Sequence, residues 1–386
     1  MSKINIIADA KIPFLKEVFS DIGSLTLLPS CEINNAKIKN YDVILVRSIT
    51  RVNKELLENT SIKIVGSMTS GIDHINRNYL IRNKIKFIYA PGSNANSVAE
   101  YVIAALLTLA QKKGIYLNRK TIGIIGVGNV GKMVARMCRA LGMNVLLNDP
   151  PKFNKTKKRE LLSFKDLSDA DIITIHVPLT FTGKYKTYRM VDDNFLRKMK
   201  PNTILINTSR GAVIDELALL RHCHKLGGLI LDVWNNEPDI NLRLLKITDI
   251  ATPHIAGYSL DGKLNATTLV YKKLCQHLNK KINIIKKKVN VSLDKEIILN
   301  PDYHKMQDII YQTVRKVYNP LIDTQKLKKM LKLNISRQPS YFRALRDNYP
   351  VRREFFNYKV RVNKSQYPYH KKIVDILRAL GFKTIS

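Results

Sequence analysis

The stretch from Thr121 to Gly131, T-I-G-I-I-G-V-G-N-V-G, constrains the fold more than any other part of the chain. Thr121-Ile122-Gly123-Ile124-Ile125 is short, β-branched and without polar interruption, as strands buried on both faces of a parallel sheet are. It runs into Gly126-x-Gly128-x-x-Gly131 and then into apolar-periodic residues through Leu141, which predict a helix. Strand, glycine turn and helix in that order bring a dinucleotide's pyrophosphate to a helix N-terminus. Gly126 permits the tight turn, Gly128 lets backbone approach the pyrophosphate, and Gly131 lets the helix pack on the strand. Asp149 closes a second strand, Val145-Leu146-Leu147-Asn148, 18 residues past Gly131. A carboxylate there accepts hydrogen bonds from the adenosine ribose hydroxyls and repels a 2′-phosphate, which selects NAD over NADP; Lys152 nearby pulls the other way.

The remaining chain arranges itself around this unit. Residues 4 to 92 alternate short apolar runs with polar helical stretches: Ile4 to Ala8, Phe14 to Phe19, Val43 to Val46, Ile62 to Val65 and Phe87 to Ala90. Such alternation predicts a parallel sheet with crossover helices. Two of its strands run straight into small polar loops, Arg47 to Arg51 and Gly66 to Gly71, where open α/β sheets bind ligands. After Pro91-Gly92, Asn96 or Ser97 is the expected cap of a helix from Val98 to Gln111 that is apolar nearly all round and therefore buried. Further strands are expected at Ile172 to Val177, Ile204 to Asn207 and Leu229 to Val233, with their loops lining one crevice. Lys280 to Lys288 reads as a linker, and the chain beyond it as a smaller α+β unit: helices at Ile309 to Val317, Leu327 to Leu333 and Ile373 to Leu380, a strand at Lys359 to Val362. The fold class is α/β, two doubly wound parallel-sheet (Rossmann-like) domains with a smaller C-terminal α+β domain. The expected boundaries are 1–95, completed by 258–282, for a substrate-binding lid; 96–257 for the NAD-binding domain; and 283–386 for the C-terminal domain.

Composition narrows the partners. Lys plus Arg outnumber Asp plus Glu 65 to 31, a net charge of +34. A polyanion-binding protein would cluster that charge on one element with aromatics interleaved. Here the lysines are spread along the chain beside abundant Asn and Ile, residues that share AT-rich codons, so no nucleic-acid partner is expected. The field still steers anionic ligands toward the surface. Cys31, Cys138, Cys223 and Cys275 show no metal-like spacing, so no metal is expected and the thiols read as reduced. The longest apolar run, Tyr101 to Ala110, is about half of what a bilayer crossing needs, and the first residues start no signal peptide. A cytoplasmic protein with no membrane partner is expected.

Three polar residues fall in strand-end loops on the expected cofactor side: Arg210 in Asn207-Thr208-Ser209-Arg210-Gly211, Glu237 in Trp234-Asn235-Asn236-Glu237-Pro238, and His254 in Thr252-Pro253-His254-Ile255-Ala256-Gly257. Taken singly, each is more often structural. Spaced 27 and 17 apart behind a dinucleotide fold, they are far more specific. With them, most of residues 40 to 280 resembles the D-isomer-specific 2-hydroxyacid dehydrogenases. The chemistry agrees: removing hydride from a carbinol carbon needs a base on its hydroxyl, which His supplies near neutral pH and a carboxylate partner strengthens. An Arg fork suits the substrate carboxylate.

Within that family, Val46 to Thr50, Asn148-Asp149-Pro150-Pro151, Arg210 to Val213, His254 to Tyr258 and the late block Leu345 to Phe355 are similar to a branch acting on a small phosphorylated 2-hydroxy acid and carrying an extra C-terminal dimerisation domain. The resemblance implies an NAD-dependent, homodimeric enzyme with Arg210, Glu237 and His254 catalytic. It implies that Ser48, Thr69 and Tyr258 touch substrate, and that Asp149, Val177, Thr208, Ser209, Asp232 and Gly257 touch NAD. Ser93 stands where the pattern has Cys, Val177 where it has Thr, and Ala8-Asp9-Ala10-Lys11 replaces an Asp-Glu-Asn-like start. Tyr341, Phe342, Leu345, Tyr349, Phe355, Phe356 and Tyr358 are expected to furnish an apolar dimer interface, with Arg346, Arg352 and Arg353 in surface ion pairs. Two other readings stay open, a D-3-phosphoglycerate dehydrogenase-like enzyme and an NAD-sensing scaffold of the corepressor kind.

Overall fold

The computed structural model describes residues 4–156, 161–283, 295–299, 305–362 and 369–385. Its chain divides into two compact units, one comprising Met1–Asn94 with Ser259–Ser292 and the other Ala95–Tyr258 with Leu293–Ser386.

The first unit is built on five parallel strands, β1 (Ile4–Asp9), β2 (Gly23–Leu28), β3 (Val43–Val46), β4 (Ile64–Ser67) and β5 (Lys86–Tyr89), in the order β2-β1-β3-β4-β5. Successive side chains of a strand face opposite ways, so Ile6 and Ala8 enter one apolar layer and Ile7 the other. The first layer is covered by the Leu260–His277 helix through Val270, Tyr271 and Leu274; the second packs on Ile38, Leu57 and Leu80. Helices on both faces make the sheet doubly wound. β2 is the strand that pattern reading misses: it is an edge strand with no fully buried residue. Gly23 is required there, because a Cβ would lie 2.1 Å from the Ile4 carbonyl oxygen.

The second unit holds a six-stranded parallel sheet of β6 (Thr121–Ile125), β7 (Asn144–Asn148), β8 (Ile172–Ile175), β9 (Ile204–Asn207), β10 (Gly228–Leu231) and β11 (Ile250–Ala251). The order β11-β10-β9-β8-β6-β7 reverses direction at β6, so the carboxyl ends of β6 and β8 flank a topological switch point. Because all six strands are parallel, the loops after them emerge at one edge. The expected strands at 172, 204 and 229 are present, the first and last of them ending two residues early.

The buried helix spans Ala95–Lys113, and apart from Asn96 every residue from Ala95 to Ala110 is buried. It starts before Asn96 and Ser97, so neither caps it. Their side chains turn instead to the C-terminal segment: Asn96 Nδ2 donates to Glu354 Oε2 at 2.7 Å and Ser97 Oγ to Glu354 Oε1 at 2.5 Å. That segment has its own parallel sheet, β12 (Lys295–Ile298), β13 (Tyr358–Arg361) and β14 (Lys383–Ile385), ordered β12-β13-β14. Yet it shares its core with the dinucleotide region, where Ile309, Ile310 and Val314 join Leu106, Val134 and Met137 in one apolar cluster. Gly381, at φ +111°, ends the His370–Leu380 helix as expected. The expected helix at 327–333 is displaced, its place taken by a helix at Pro320–Lys328 and a 3-10 turn at Lys329–Lys332. A helix at Gln338–Asp347 was not legible in the pattern, since it buries a single residue, Phe342. Burying a side chain of that size contributes about 1.5–3 kcal/mol, enough to dock a short helix without an apolar stripe. Of the expected linker, residues 284–288 lie outside the described residues.

Candidate active site

The glycine turn has the geometry its sequence calls for. Gly126 sits at φ +90°, and a Cβ on it would come within 2.5 Å of the His176 carbonyl oxygen on the neighbouring strand end. A Cβ on Gly131 would meet the Gly126 carbonyl oxygen at 2.0 Å, so the Asn129–Ala140 helix approaches β6 as closely as backbone permits. Gly128 differs from both: a Cβ there meets nothing within 4 Å, which leaves open space above the helix N-terminus. Asp149 follows β7 and folds its carboxylate over the turn, accepting the Val127 N–H at 3.0 Å and the Lys152 N–H at 3.1 Å. Lys152 reaches back to the Val127 carbonyl at 2.9 Å. Open backbone amides at a helix start with a carboxylate beside them fit a dinucleotide with free ribose hydroxyls.

The loops after β8 and β9 continue the same edge. Thr208 Oγ1 lies 3.2 Å from His176 Nδ1, and Thr174 Oγ1 lies 2.9 Å from His176 Nε2. Burial holds this imidazole below its ordinary range, so it stays neutral and orients Thr208. No sequence motif marks His176; only its burial between two threonines does. Val177 borders Gly126 through Cγ1. Ser209 is buried, both its N–H and its hydroxyl donating to Asn207 Oδ1 at 3.0 and 2.8 Å. Arg210 is held from behind: Gly211 presses on Trp234, where a Cβ would fall 1.9 Å from the Trp234 carbonyl carbon, and Arg210 Nη1 donates to the Ser209 carbonyl at 2.7 Å.

Glu237 and His254 meet. His254 Nδ1 is 2.8 Å from Glu237 Oε2, while Glu237 Oε1 accepts the Trp234 N–H at 2.9 Å. His254 stands at φ +59°, a left-handed conformation costing on the order of 1–3 kcal/mol in a residue other than glycine. Asp232 holds the turn in place. Its carbonyl accepts the His254 N–H at 2.7 Å, and its carboxylate accepts the Ile255 and Ala256 N–H groups at 2.7 and 2.9 Å and the Thr252 hydroxyl at 2.6 Å. Tyr101, in the buried helix, lies 2.6 Å from that hydroxyl, which ties the turn to the core. Burial tends to raise both carboxyls. For Asp232 burial prevails and its value is raised, whereas at Glu237 His254 and then Arg346 outweigh burial and hold the carboxyl below its usual range.

The C-terminal segment supplies the other wall. Arg346 Nη2 donates to the Tyr258 hydroxyl at 3.2 Å, and its Nη1 lies 3.9 Å from Glu237 Oε2. Tyr258 packs edge-on against Tyr349 at 5.9 Å, and Gly257 beside it is half-buried. The expected surface ion pairs are overturned: Arg352 and Arg353 are 9% and 8% exposed, and the Arg352 guanidinium stacks 4.7 Å from the Tyr318 ring while donating to the Ala256 carbonyl. Phe342 and Phe355, expected at an interface, are each 1% exposed and spent inside the unit. The apolar residues left exposed here include Ile335, Val351 and Phe356.

In the first unit Ser48 is exposed after β3, and Thr69 Oγ1 lies 2.7 Å from Ser67 Oγ and donates to the Gly71 carbonyl at 2.6 Å. The altered N-terminal motif keeps a function: Asp9 is fully buried and accepts Arg47 Nε at 2.8 Å. Arg47 Nη2 is buried with no hydrogen-bond partner. Burial, and then the Arg47 charge, lower the Lys263 ammonium, so two cations stand near each other at these strand ends. Sequence alone gives Arg47 no role of its own; its burial against Asp9 is what singles it out. Among the described residues no helix is long and apolar enough to cross a membrane.

The NAD-binding domain of the D-isomer-specific 2-hydroxyacid dehydrogenases matches residues 100–256, and a domain of unknown function matches residues 295–381. The erythronate-4-phosphate dehydrogenase of Hydrogenovibrio crunogenus is 39% identical over 98% of this chain and 98% of its own, and that of Blochmanniella floridana 40% over 99% and 100%. Among solved structures, D-lactate dehydrogenase from Aquifex aeolicus, complexed with NAD and lactic acid, is 28% identical with a TM-score of 0.58, covering 71% of this chain and 94% of that one. The NAD+-bound 3-phosphoglycerate dehydrogenase of Entamoeba histolytica, 23% identical with a TM-score of 0.62 over 74% and 99%, shares the fold. With a dinucleotide turn, a paired imidazole and carboxylate, and such identity over nearly its whole length, the chain belongs to the erythronate-4-phosphate dehydrogenases, NAD-dependent members of the D-isomer-specific 2-hydroxyacid dehydrogenase family.

Proposed function

We propose that the site oxidises 4-phospho-D-erythronate to (R)-3-hydroxy-2-oxo-4-phosphooxybutanoate, a step toward pyridoxine 5′-phosphate, with His254 as base. The observation that carries this is the 2.8 Å contact of His254 Nδ1 with Glu237, which leaves Nε2 for the substrate hydroxyl. NAD, when bound, accepts the hydride that leaves C2. His254 Nε2 takes the hydroxyl proton as the C2 carbonyl forms, and Glu237 stabilises the imidazolium that results. Arg210 clamps the substrate carboxylate with its planar fork. Ser48, Thr69 and Tyr258 are the proposed substrate contacts, and Arg47 joins them as a donor for the phosphate. Asp149, Val177, Thr208, Ser209, Asp232 and Gly257 are the proposed NAD contacts. Val177 offers its backbone alone, and Asp232 Oδ2, which accepts the Ala256 N–H, keeps a lone pair free for a further donor.

The test is NADH formation by the purified chain against a panel of phosphorylated 2-hydroxy acids, with NAD or NADP. Preferential turnover of 4-phospho-D-erythronate with NAD supports the assignment. Preference for 3-phosphoglycerate points to the neighbouring dehydrogenase activity, and NAD binding without turnover points to a scaffold. We also propose a homodimer through the exposed Ile335, Val351 and Phe356. A chain cut near Lys286 would strip the buried helix of its cover, so the check is light scattering on the full chain carrying Val351→Glu and Phe356→Glu. A monomer supports the interface, and an intact dimer argues for another one.

A further inference from the structure

We propose that Arg346, carried by the C-terminal Gln338–Asp347 helix, is a positioning residue of the dehydrogenase site that keeps Glu237 ionised and sets the pH at which His254 serves as base. The inference rests on the reading of His254 as base and extends it to a residue outside the dinucleotide region. Glu237 is mostly buried, and a base ready to accept a proton gives it no cation to face. A carboxylate so placed tends to take up a proton, and a protonated Glu237 gives no charge to the imidazolium that the reaction creates.

Arg346 supplies the missing permanent charge. A guanidinium cannot be deprotonated in a protein, and this one lies 3.9 Å from the same Oε2 that pairs with His254. Nothing on its own helix competes for it: the neighbouring Asp347 is exposed, and consecutive helical residues do not face each other. Among the described residues Glu237 is its ion-pair partner, and its Nε is buried without a hydrogen-bond partner. The Nη2 bond to the Tyr258 hydroxyl fixes the guanidinium from the far side and orients the proposed substrate contact at once.

The other charges around the pair divide evenly. Asp232, from the end of β10, faces His254, Arg346 and Arg352, and its carboxyl is raised by burial. Arg352 faces Asp232, Glu100 and the phenols of Tyr318 and Tyr349. Removing Arg346 therefore takes away the permanent cation beside Glu237 Oε2. Without that cation both Glu237 and His254 hold a proton more tightly, so the pair, which titrates as a unit, gives up its last proton at higher pH whichever of the two carries it. At these separations and intermediate screening the displacement is on the order of one pH unit, roughly tenfold in the ionisation equilibrium.

The experiment compares wild type, Arg346→Gln and Arg346→Lys, with Arg346→Met as a second neutral variant should Arg346→Gln fail to fold. Two readouts are taken: the acidic limb of kcat/KM for substrate oxidation, and the titration of the His254 ring by NMR in protein labelled with 13C-histidine, assigned by its loss in His254→Ala. The neutral variants should displace both upward by about one unit, while Arg346→Lys keeps both near wild type and loses affinity for substrate through Tyr258. A residue that merely docks the helix would lower stability and leave the titration where it was; an unchanged titration in a folded neutral variant overturns the proposal. Should His254→Ala retain turnover, the reading of the base fails, and the ring titration still decides the role of Arg346.

Discussion

The loops that follow β9, β10 and β11 and the C-terminal segment from Gln338 onward build the two walls of the second unit's candidate site by opposite means. In the loops the ties are short. Glu237 reaches His254 across 17 residues, and Asp232 reaches Ile255 and Ala256 across 23 and 24. In the segment they are long: 88 residues from Arg346 to Tyr258, 96 from Arg352 to Ala256, and 257 from Glu354 to Ser97. Parallel strand ends bring the loops together as soon as the sheet forms. The segment's charges reach their partners only when the whole unit has closed around the Ala95–Lys113 helix. On the proposed reading the loops carry the reaction, and the segment sets the electrostatic conditions under which it runs.

Arg352→Ala puts the greatest strain on this division of labour. It takes the buried guanidinium from the Ala256 carbonyl and from the Tyr318 ring, and stability should fall by about 2–4 kcal/mol in denaturant titration. In protein that remains folded, kcat should change little; a loss of turnover with stability intact would move Arg352 into the chemistry. Glu237→Gln probes the loops. Turnover should drop by about 10²-fold while the melting temperature stays close to wild type, and the acidic limb of kcat/KM should move to lower pH, because the imidazolium loses its carboxylate. An unmoved limb would dissolve the pair.

A smaller effect separates the two regions by pH. Burial, and then the Glu354 charge, push Glu100 well above its ordinary 4.5, whereas Glu237 is held below its own. A raised carboxyl keeps its proton in the folded state and releases it on unfolding. Its contribution is complete below about 4.5 and is lost as the pH climbs toward the folded value. Glu237 does the reverse, contributing above its unfolded value and losing that contribution as the pH falls through the folded one. Glu100→Gln should therefore flatten the decline of the unfolding midpoint between mildly acidic and neutral pH, and a slope identical to wild type would show that the buried carboxyl does not hold its proton.

How much of this was legible depended on the range of the interaction. Gly126, Gly128 and Gly131 could be read because their spacing encodes a local turn: Gly126 and Gly131 leave no room for a Cβ, while Gly128 faces open space above the helix N-terminus. The strands at 121, 172 and 204 could be read because burial on both faces leaves an apolar run. β2 could not, since an edge strand has no such run, and neither could the Gln338–Asp347 helix, which docks by Phe342 alone. Asn96 and Ser97 have the residue types of helix caps, yet Glu354 comes to them from across the chain. Arg346, Arg352 and Arg353 read as surface charges for the same reason: what buries an arginine in this molecule lies far from it in sequence.

If His254, oriented by Glu237, is the base of an NAD-dependent oxidation, a single comparison decides it: steady-state NADH formation from 4-phospho-D-erythronate by the wild-type chain and by His254→Ala, with NAD affinity measured alongside. The variant should bind NAD as wild type does and turn over roughly 10²–10⁴-fold more slowly across the pH range. Turnover within a few-fold of wild type, in a variant that binds NAD normally, would mean that another group takes the proton.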